Sequence, residues 1–470
     1  MMAAISMTIK LSNDQVNSGE DLDASLHPLV NLGVIMRRPI LYSFFLLLLA
    51  PTAIAEPLAL VPDALIDGLS DQAQSGRAVL IEGEYIVDVV DIDTLPPDIR
   101  TLQLPGQTLM PGLINGHEHP LIYGDNYQNA HLSGSSAYKT LLGLAALQGM
   151  LQHGWTTVRV MGDADTFFGN QDIARAVSEG VHQAPRITGA GHYLSITGGG
   201  GDINYLSPEQ AMISDGYIVD GPMEVRRAVR REIKFGSDWI KILVTGAFHS
   251  VGDDPKNVAF SPDELAEAVA EASRHGVPVA AHAHANAGIN QAIEAGVRSI
   301  EHGTYLDDHT IKLMVEHGTF LVPTIYVGDY YAGTDKLLAQ DKNDDVYLNY
   351  RDEWLRLIGQ AHRAGVKVVA GSDLGGYNID PRAYAREIAV LTEAGLSPMA
   401  AIKAATAVAA DMLNWSDRVG SVQAGRWADL ITVPGNPLED LSLLENPAFV
   451  MKGGQILRQN NAALTTYRNP

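Results

Sequence analysis

The sequence concentrates its metal-capable side chains in a few short stretches. His117-Glu118-His119 stands within MPGLINGHEHP, Lys241 within DWIKILVTG, His282-Ala283-His284 within AAHAHAN, His302 within SIEHGTY and Asp373 within VVAGSDLGG. Five of the 15 histidines fall in these stretches. In extended backbone alternate residues share a face, so His117 and His119 lie about 7 Å apart at the backbone and both imidazoles can reach one ion. His282 and His284 are related in the same way. The chain has no cysteine, which excludes disulfides, thiolate nucleophiles, Fe–S clusters and Cys-ligated zinc. Any metal must then sit on His, Asp, Glu or a modified Lys. Singly, each residue has a plainer reading: a hydrogen-bonded strand-end His, an ion-paired Lys241, an Asp373 that caps a helix. Together they point to a metal site that activates water.

The elements that must position these residues are short. From Leu109 onward, apolar runs recur, each followed by an amphipathic stretch of helical length. Eight strands are expected, at 109–114, 156–160, 186–190, 239–244, 277–281, 298–301, 319–323 and 366–370. Ser261, Pro262 and Glu264 spell a capping box that opens a helix ending near Gly276. Gly296, Gly318 and Gly365 stand where helices should stop before the next strand. Eight strand–helix units predict an α/β fold, a (β/α)8 TIM barrel over 109–414, with its active site at the C-terminal ends of the strands. The metal-capable residues fall at the ends of strands one, four, five, six and eight. Segments 56–108 and 415–470 read as short β-strands, expected to form one small β-sandwich domain built from both ends of the chain.

This constellation resembles the amidohydrolase superfamily, from about residue 57 to 457. The resemblance includes LMPGLINGHEH at entry to the barrel and GRWADLITV at its exit. DGPMEVRRAVRREIKFGSDWIKILVTGA, HAHANAGINQAIEAGVRSIEHGTYLDD and AGSDLGG look most like the group of imidazolonepropionase-like proteins, Xaa-Pro and Xaa-Arg/Lys dipeptidases and ochratoxin-hydrolysing amidases. The resemblance implies two divalent metal ions, zinc by preference. His117 and His119 would hold one, His282 and His302 the other, with carbamylated Lys241 bridging them. Asp373 would touch the first metal and shuttle the proton, and His284 would face substrate.

Those roles make physical sense. An ammonium cannot bind a cation, but a carbamate is a carboxylate with two oxygens. Two ions sharing a hydroxide give a nucleophile at neutral pH. Asp373 can act as base and then acid, and His284 can donate to the carbonyl oxygen as charge develops. The expected reaction is amide hydrolysis, of a dipeptide or N-acyl amino acid. A lactone, ester or carbamate on the same site is an alternative. An imidazolone-ring or deaminase-type reaction is another, although deaminase-type members and imidazolonepropionases proper lack the Lys. A metal- or ligand-binding protein without activity is the alternative from outside the enzymes.

One departure concerns Gly198-Gly199-Gly200-Gly201-Asp202, where relatives often have Gly-Gly-His-Gly-Asp. Gly200 stands in the place of that His, and His192 and Tyr193 just upstream are expected to compensate. Tyr326 and Tyr330, with Tyr331, are expected to line the substrate pocket. Arg226, Arg227, Arg230 and Arg231 belong to a helix before strand four and read as surface or packing residues.

Charge and the N-terminus bound the rest. Lys plus Arg is 33 and Asp plus Glu 55, a net charge of −22 over 470 residues, which argues against nucleic acid as partner. Small-molecule substrates suit it better, and a homo-oligomer is compatible. From Met36 the chain reads MRRPILYSFFLLLLAPTAIAEP: a basic start, an apolar run and small residues before Glu56. That is the pattern of a cleaved secretory signal over 36–55, with 1–35 an upstream extension. Its apolar run is short of the roughly 20 residues that span a bilayer, so no stable membrane anchor is expected. The periplasm or secretion is the expected destination.

Overall fold

The computed structural model describes residues 57–124, 126–332, 344–460 and 462–463. The expected extension and signal lie outside them. Among the described residues no helix is long and apolar enough to cross a membrane.

Strands from both chain ends share one mixed sheet of eight. Its order is Ala462–Ala463, Gln455–Gln459, Phe449–Lys452, Leu430–Pro434, Arg100–Pro111, Leu58–Leu65, Arg77–Glu82 and Tyr85–Asp91. Only Leu58–Leu65 and Arg100–Pro111 pair in parallel. Leu60, Val79, Ile86, Leu109, Leu430 and Phe449 form its own core. The sheet curls, because Ile86 N–H donates to the Arg426 carbonyl at 2.8 Å and Gly425 N–H donates back to Ile86 at 2.8 Å.

The remaining strands are parallel and short. Leu113–Glu118, Trp155–Met161 and Arg186–Ala190 form one sheet. Phe320–Val322, Ser299–His302, Val279–Ala283, Ile240–Leu243, Tyr193–Ser195 and Tyr217–Ile218 form another, in that order. Hydrogen bonds connect the two sheets on both sides. Trp239 N–H donates to Gly189 at 3.2 Å, Val369 N–H to Leu321 at 2.9 Å, and Gly116 N–H to Ala370 at 2.8 Å. Residues buried on both faces of these strands explain their near-continuous apolar character.

Three expected strands differ. The run at 109–114 breaks at Gly112: its first part finishes Arg100–Pro111 in the end-built sheet, and Leu113 opens the next strand. A Cβ at Gly112 would stand 2.2 Å from Thr156 Oγ1, so the chain can pass there only as glycine. The strand expected at 277–281 is Val279–Ala283, which carries His282 within it. The segment at 366–370 is no ladder strand; it touches its neighbour by one parallel bridge, Leu321 to Val368.

Helices follow the strands as expected. Ser261 caps Pro262–Ser273, accepting from Glu264 N–H at 3.4 Å while the Glu264 carboxylate accepts from Ser261 N–H at 2.8 Å. Gly296 and Gly318 end Asn286–Ala295 and Asp308–His317 in the left-handed conformation, with φ of 96° and 68°.

Candidate active site

The C-terminal ends of the parallel strands bring the five histidines, Lys241 and Asp373 together. His117 and His119 leave Leu113–Glu118 on the same face, with their Nε2 atoms 3.1 Å apart. Asp373 Oδ1 lies 3.4 Å from His117 Nε2 and 3.3 Å from His119 Nε2. Ligands 2.0–2.1 Å from a tetrahedral zinc sit about 3.3 Å from one another. The His117–His119–Asp373 triangle therefore has the spacing of a donor set around a small divalent ion.

A second group adjoins it. Ring nitrogens of His282, His284 and His302 converge within 4.8 Å, and a donor atom of His302 also lies within that distance of His117 and Asp373. The rings of His282 and His302 are 4.5 Å apart and those of His284 and His302 4.9 Å. Three histidines thus meet where the resemblance implied two ligands and one substrate contact.

Each imidazole is aimed by its other nitrogen. His117 Nδ1 bonds Glu301 at 2.7 Å, His119 Nδ1 the Gly162 carbonyl at 2.5 Å and His302 Nδ1 Thr324 Oγ1 at 2.7 Å. His284 Nδ1 bonds Thr304 Oγ1 at 2.8 Å, and His282 Nε2 the Gly246 carbonyl at 3.1 Å. The opposite nitrogen of each ring is left free of these orienting bonds. Burial holds His282 down to about 3 and pushes His284, His302 and His117 well below the usual histidine range. They are neutral at pH 7, the form that binds metal.

Lys241 is buried in Ile240–Leu243, in register with Tyr193 and Ala280. Burial lowers its pKa to about 8, against the pull of Glu301 and Asp373. A useful fraction of the amine is then neutral, as reaction with CO2 requires. Burial would raise Asp373, but His117, His119 and Lys241 outweigh it and hold the carboxylate ionised.

The backbone is strained where these groups meet. His302, Thr324 and Asp373 take φ of 70°, 50° and 55°, the left-handed region that branched and bulky residues avoid. Such strain persists only where surrounding bonds over-determine it.

Sequence reasoning missed the residues that do so. Both carboxylate oxygens of Glu301 accept from Arg159 Nη2 at 2.8 Å while Glu301 orients His117, and both side chains are fully buried. Glu118, between the two histidines, accepts from Ser372 Oγ at 2.5 Å and from the N–H groups of His119 and Gly375 at 2.9 Å, tying the first strand to the Asp373 loop. Burial raises its pKa to about 7. Glu301 immediately before His302 and Glu118 inside His-x-His were the only signals available in the sequence.

The expected substrate residues divide. Tyr193 belongs here: it aligns with Lys241, its ring is 6.1 Å from that of His119, and its hydroxyl donates to Asp215 at 2.6 Å. His192 does not. Strand alternation turns it to the other face, where Nδ1 bonds Glu232 of the helix Pro222–Lys234 at 2.6 Å. Tyr326 is likewise taken up elsewhere, its hydroxyl accepting from Arg386 at 3.1 Å. Tyr330 meets Tyr326 and Tyr331 edge-on, at 6.2 and 5.2 Å. Tyr331 reaches the site, donating to the Leu374 carbonyl at 2.8 Å. Arg226 and Arg230 pair with Glu267 and Glu271 on the next helix, as surface residues do.

Comparison with known proteins agrees with this geometry. The amidohydrolase family model matches residues 108–457. Ochratoxinase of Aspergillus niger is 31% identical over 453 residues, covering 90% of each chain; its crystal structure superposes with a TM-score of 0.76 over 86% of this chain and 96% of that one, at 29% identity. The crystal structure of a Xaa-Pro dipeptidase with methionine in its active site gives a TM-score of 0.78 at 33% identity, over 86% of this chain and all of that one. Imidazolonepropionase of Shewanella baltica is 22% identical over 416 residues, 77% of this chain and 88% of its own. With strand-end histidines, a buried lysine and an aspartate at one mouth, the chain belongs to the amidohydrolase family and is a hydrolase of carbon–nitrogen bonds.

Proposed function

We propose that this protein is an exported dipeptidase or N-acyl amino-acid hydrolase with two divalent metal ions, zinc by preference, held by His117, His119, His282, His302, Asp373 and a carbamylated Lys241. The observation that carries the reading is the convergence of both histidine groups and Asp373 at one mouth, with Lys241 buried on the strand that pairs with the one carrying His282. The bonds linking the two parallel sheets at Gly189, Leu321 and Ala370 support a closed (β/α)8 barrel around that point, and the curl of the end-built sheet supports a β-sandwich beside it. The ochratoxinase and dipeptidase relatives favour amide substrates over lactones.

When bound, the ions would lower the pKa of water to supply hydroxide at neutral pH and would polarise the scissile carbonyl. The chain's own groups do the rest. Lys241 Nζ, on adding to CO2 and losing a proton, would become a carbamate and supply an anionic ligand for the ions. Asp373, ionised and beside His117 and His119, takes the proton of the attacking water and passes it to the leaving amine. His284, fixed by Thr304 on Nδ1, donates from Nε2 to the carbonyl oxygen as negative charge grows. Glu301 and Glu118 keep His117, His119 and the Asp373 loop in place.

The test is a panel of dipeptides and N-acyl amino acids assayed with added Zn2+ or Mn2+ and bicarbonate, alongside metal analysis. Turnover of panel members with about two metals per chain supports the reading. One metal per chain under replete conditions, or turnover of lactones alone, overturns it.

A further inference from the structure

The loop between Leu243 and Val258 carries a histidine that the site described above does not use. The loop is fixed at several points. Gly246 N–H donates to Asn257 at 3.0 Å, Ala247 N–H to Asp253 Oδ2 at 2.9 Å, and Thr245 bridges Val258. Ser250 Oγ donates to the Gly200 carbonyl at 2.6 Å and meets the Tyr127 hydroxyl at 3.2 Å. Phe248 and His249 are thus the two residues between anchored neighbours. The Phe248 ring meets His284 edge-on at 4.6 Å. His249 is exposed, its ring 5.9 Å from that of Tyr331, whose hydroxyl is pinned to Leu374 beside Asp373. His249 therefore stands between the His284 wall and the Asp373 loop, at the rim of the metal-ligand cluster.

Gly200 favours this arrangement. A Cβ there would stand 3.0 Å from Asp253 Oδ2 and 3.2 Å from Ala247 Cβ, so a side chain at this position would push the His249 loop away by a few tenths of an ångström. Among the described residues, three other cations are engaged. Lys139 is buried against Asp165 at 3.4 Å, Arg351 pairs with Asp329 at 2.6 Å and Arg386 with Glu445 at 3.2 Å. Lys256, in the same loop, lies over the Tyr305 ring at 5.5 Å. His249 is exposed beside the Tyr331 ring, with the Phe248 ring of the same loop against His284, and a neutral imidazole carries one ring N–H to donate.

The geometry points to His249 as a specificity-determining residue that recognises the free carboxylate of the substrate's amino-acid half, so that the enzyme prefers N-acyl amino acids or dipeptides ending in a free acid. This rests on the amide-hydrolase reading. The ring N–H donates to the carboxylate, and Tyr331 walls the side on which it docks. No bond is made or broken at this residue.

The experiment uses the metal-loaded full chain and the acid cleaved fastest in the panel above, paired with its C-terminal carboxamide. The wild type is expected to favour the acid. His249→Ala should lower kcat/KM for the acid roughly 10- to 100-fold, the scale of one hydrogen bond to a charged group, mostly through KM. The carboxamide should change far less, and metal content should hold. His249→Asn, which keeps an N–H donor, should recover part of the preference. An unchanged acid-to-amide ratio in His249→Ala overturns the assignment, as does a ratio that collapses in Lys256→Ala instead. A panel in which the wild type cleaves no amide overturns the amide-hydrolase reading and this inference with it, whereas a wild type that cleaves the acid and its carboxamide equally well overturns this inference alone.

Discussion

His282 and His284 lie two positions apart on one strand, and both converge on His302. Their outer bonds differ: His282 offers Nε2 to a backbone carbonyl, His284 offers Nδ1 to the Thr304 hydroxyl. His282 would therefore coordinate through the nitrogen nearer its backbone, whereas His284 extends its far nitrogen toward substrate. His282→Ala should lose a metal ion together with activity. His284→Ala should keep both ions and lose roughly 10²-fold or more in kcat/KM, as removal of one oxyanion donor does. Metal analysis of the purified variants decides, and metal loss confined to His284→Ala would reverse the two roles. Asp373→Asn keeps the shape of the side chain and removes the base. Its kcat should fall by roughly 10² to 10⁴ with metal largely retained. Turnover close to wild type would place the proton shuttle elsewhere.

Between residues and fold stand the short strands, and here the sequence was legible in some places and opaque in others. The His-x-His spacing, Lys241 and Asp373 were readable because metal chemistry restricts residue type, and the structure brings all of them to one mouth. Helix ends were readable because Ser261, Gly296 and Gly318 each do something few other residues can. Strand limits were not, since buried parallel strands are apolar on both faces and show no alternation to count. Pro111-Gly112 was the one turn signal within the run at 109–114. His192 was misplaced for a simpler reason: period two makes it and Tyr193 face opposite ways, and only one can join Lys241. The Arg159–Glu301 pair was invisible because its partners lie 142 residues apart. Its removal gives an element-scale prediction. Arg159→Met leaves the Glu301 carboxylate buried without its cation, which should cost about 3–5 kcal/mol of stability. Chemical denaturation would measure it, and His117 should bind metal more weakly in the same variant. A loss under about 1 kcal/mol would show that Glu301 is satisfied by Ser299 and His117 alone.

At the scale of the molecule, the parallel strands carry the candidate metal ligands at one end, so ion binding there should draw several elements together at once. Leu113–Glu118, Val279–Ala283, Ser299–His302 and the Asp373 loop all contribute donors. An ion that binds the native state alone stabilises it by about 2.7 kcal/mol at a hundred times its Kd. Chelator-treated protein should therefore melt several degrees below the metal-loaded form, and equal Tm values in the two would remove the shared-ligand picture.

The sheet built from both chain ends bears on how the protein is made. Arg100–Pro111 emerges from the ribosome early, while its neighbour Leu430–Pro434 lies more than 300 residues downstream. At about 5–20 residues per second that interval is on the order of half a minute. Throughout it, the flank of Arg100–Pro111 that Leu430–Pro434 will cover has unpaired backbone groups beside Leu109 and Met110. A nascent chain in that condition can recruit a neighbouring copy as easily as its own last strands. Synthesis should therefore depend on holdase chaperones, and messages truncated before codon 430 should yield inclusion bodies even though every candidate metal ligand has already been translated.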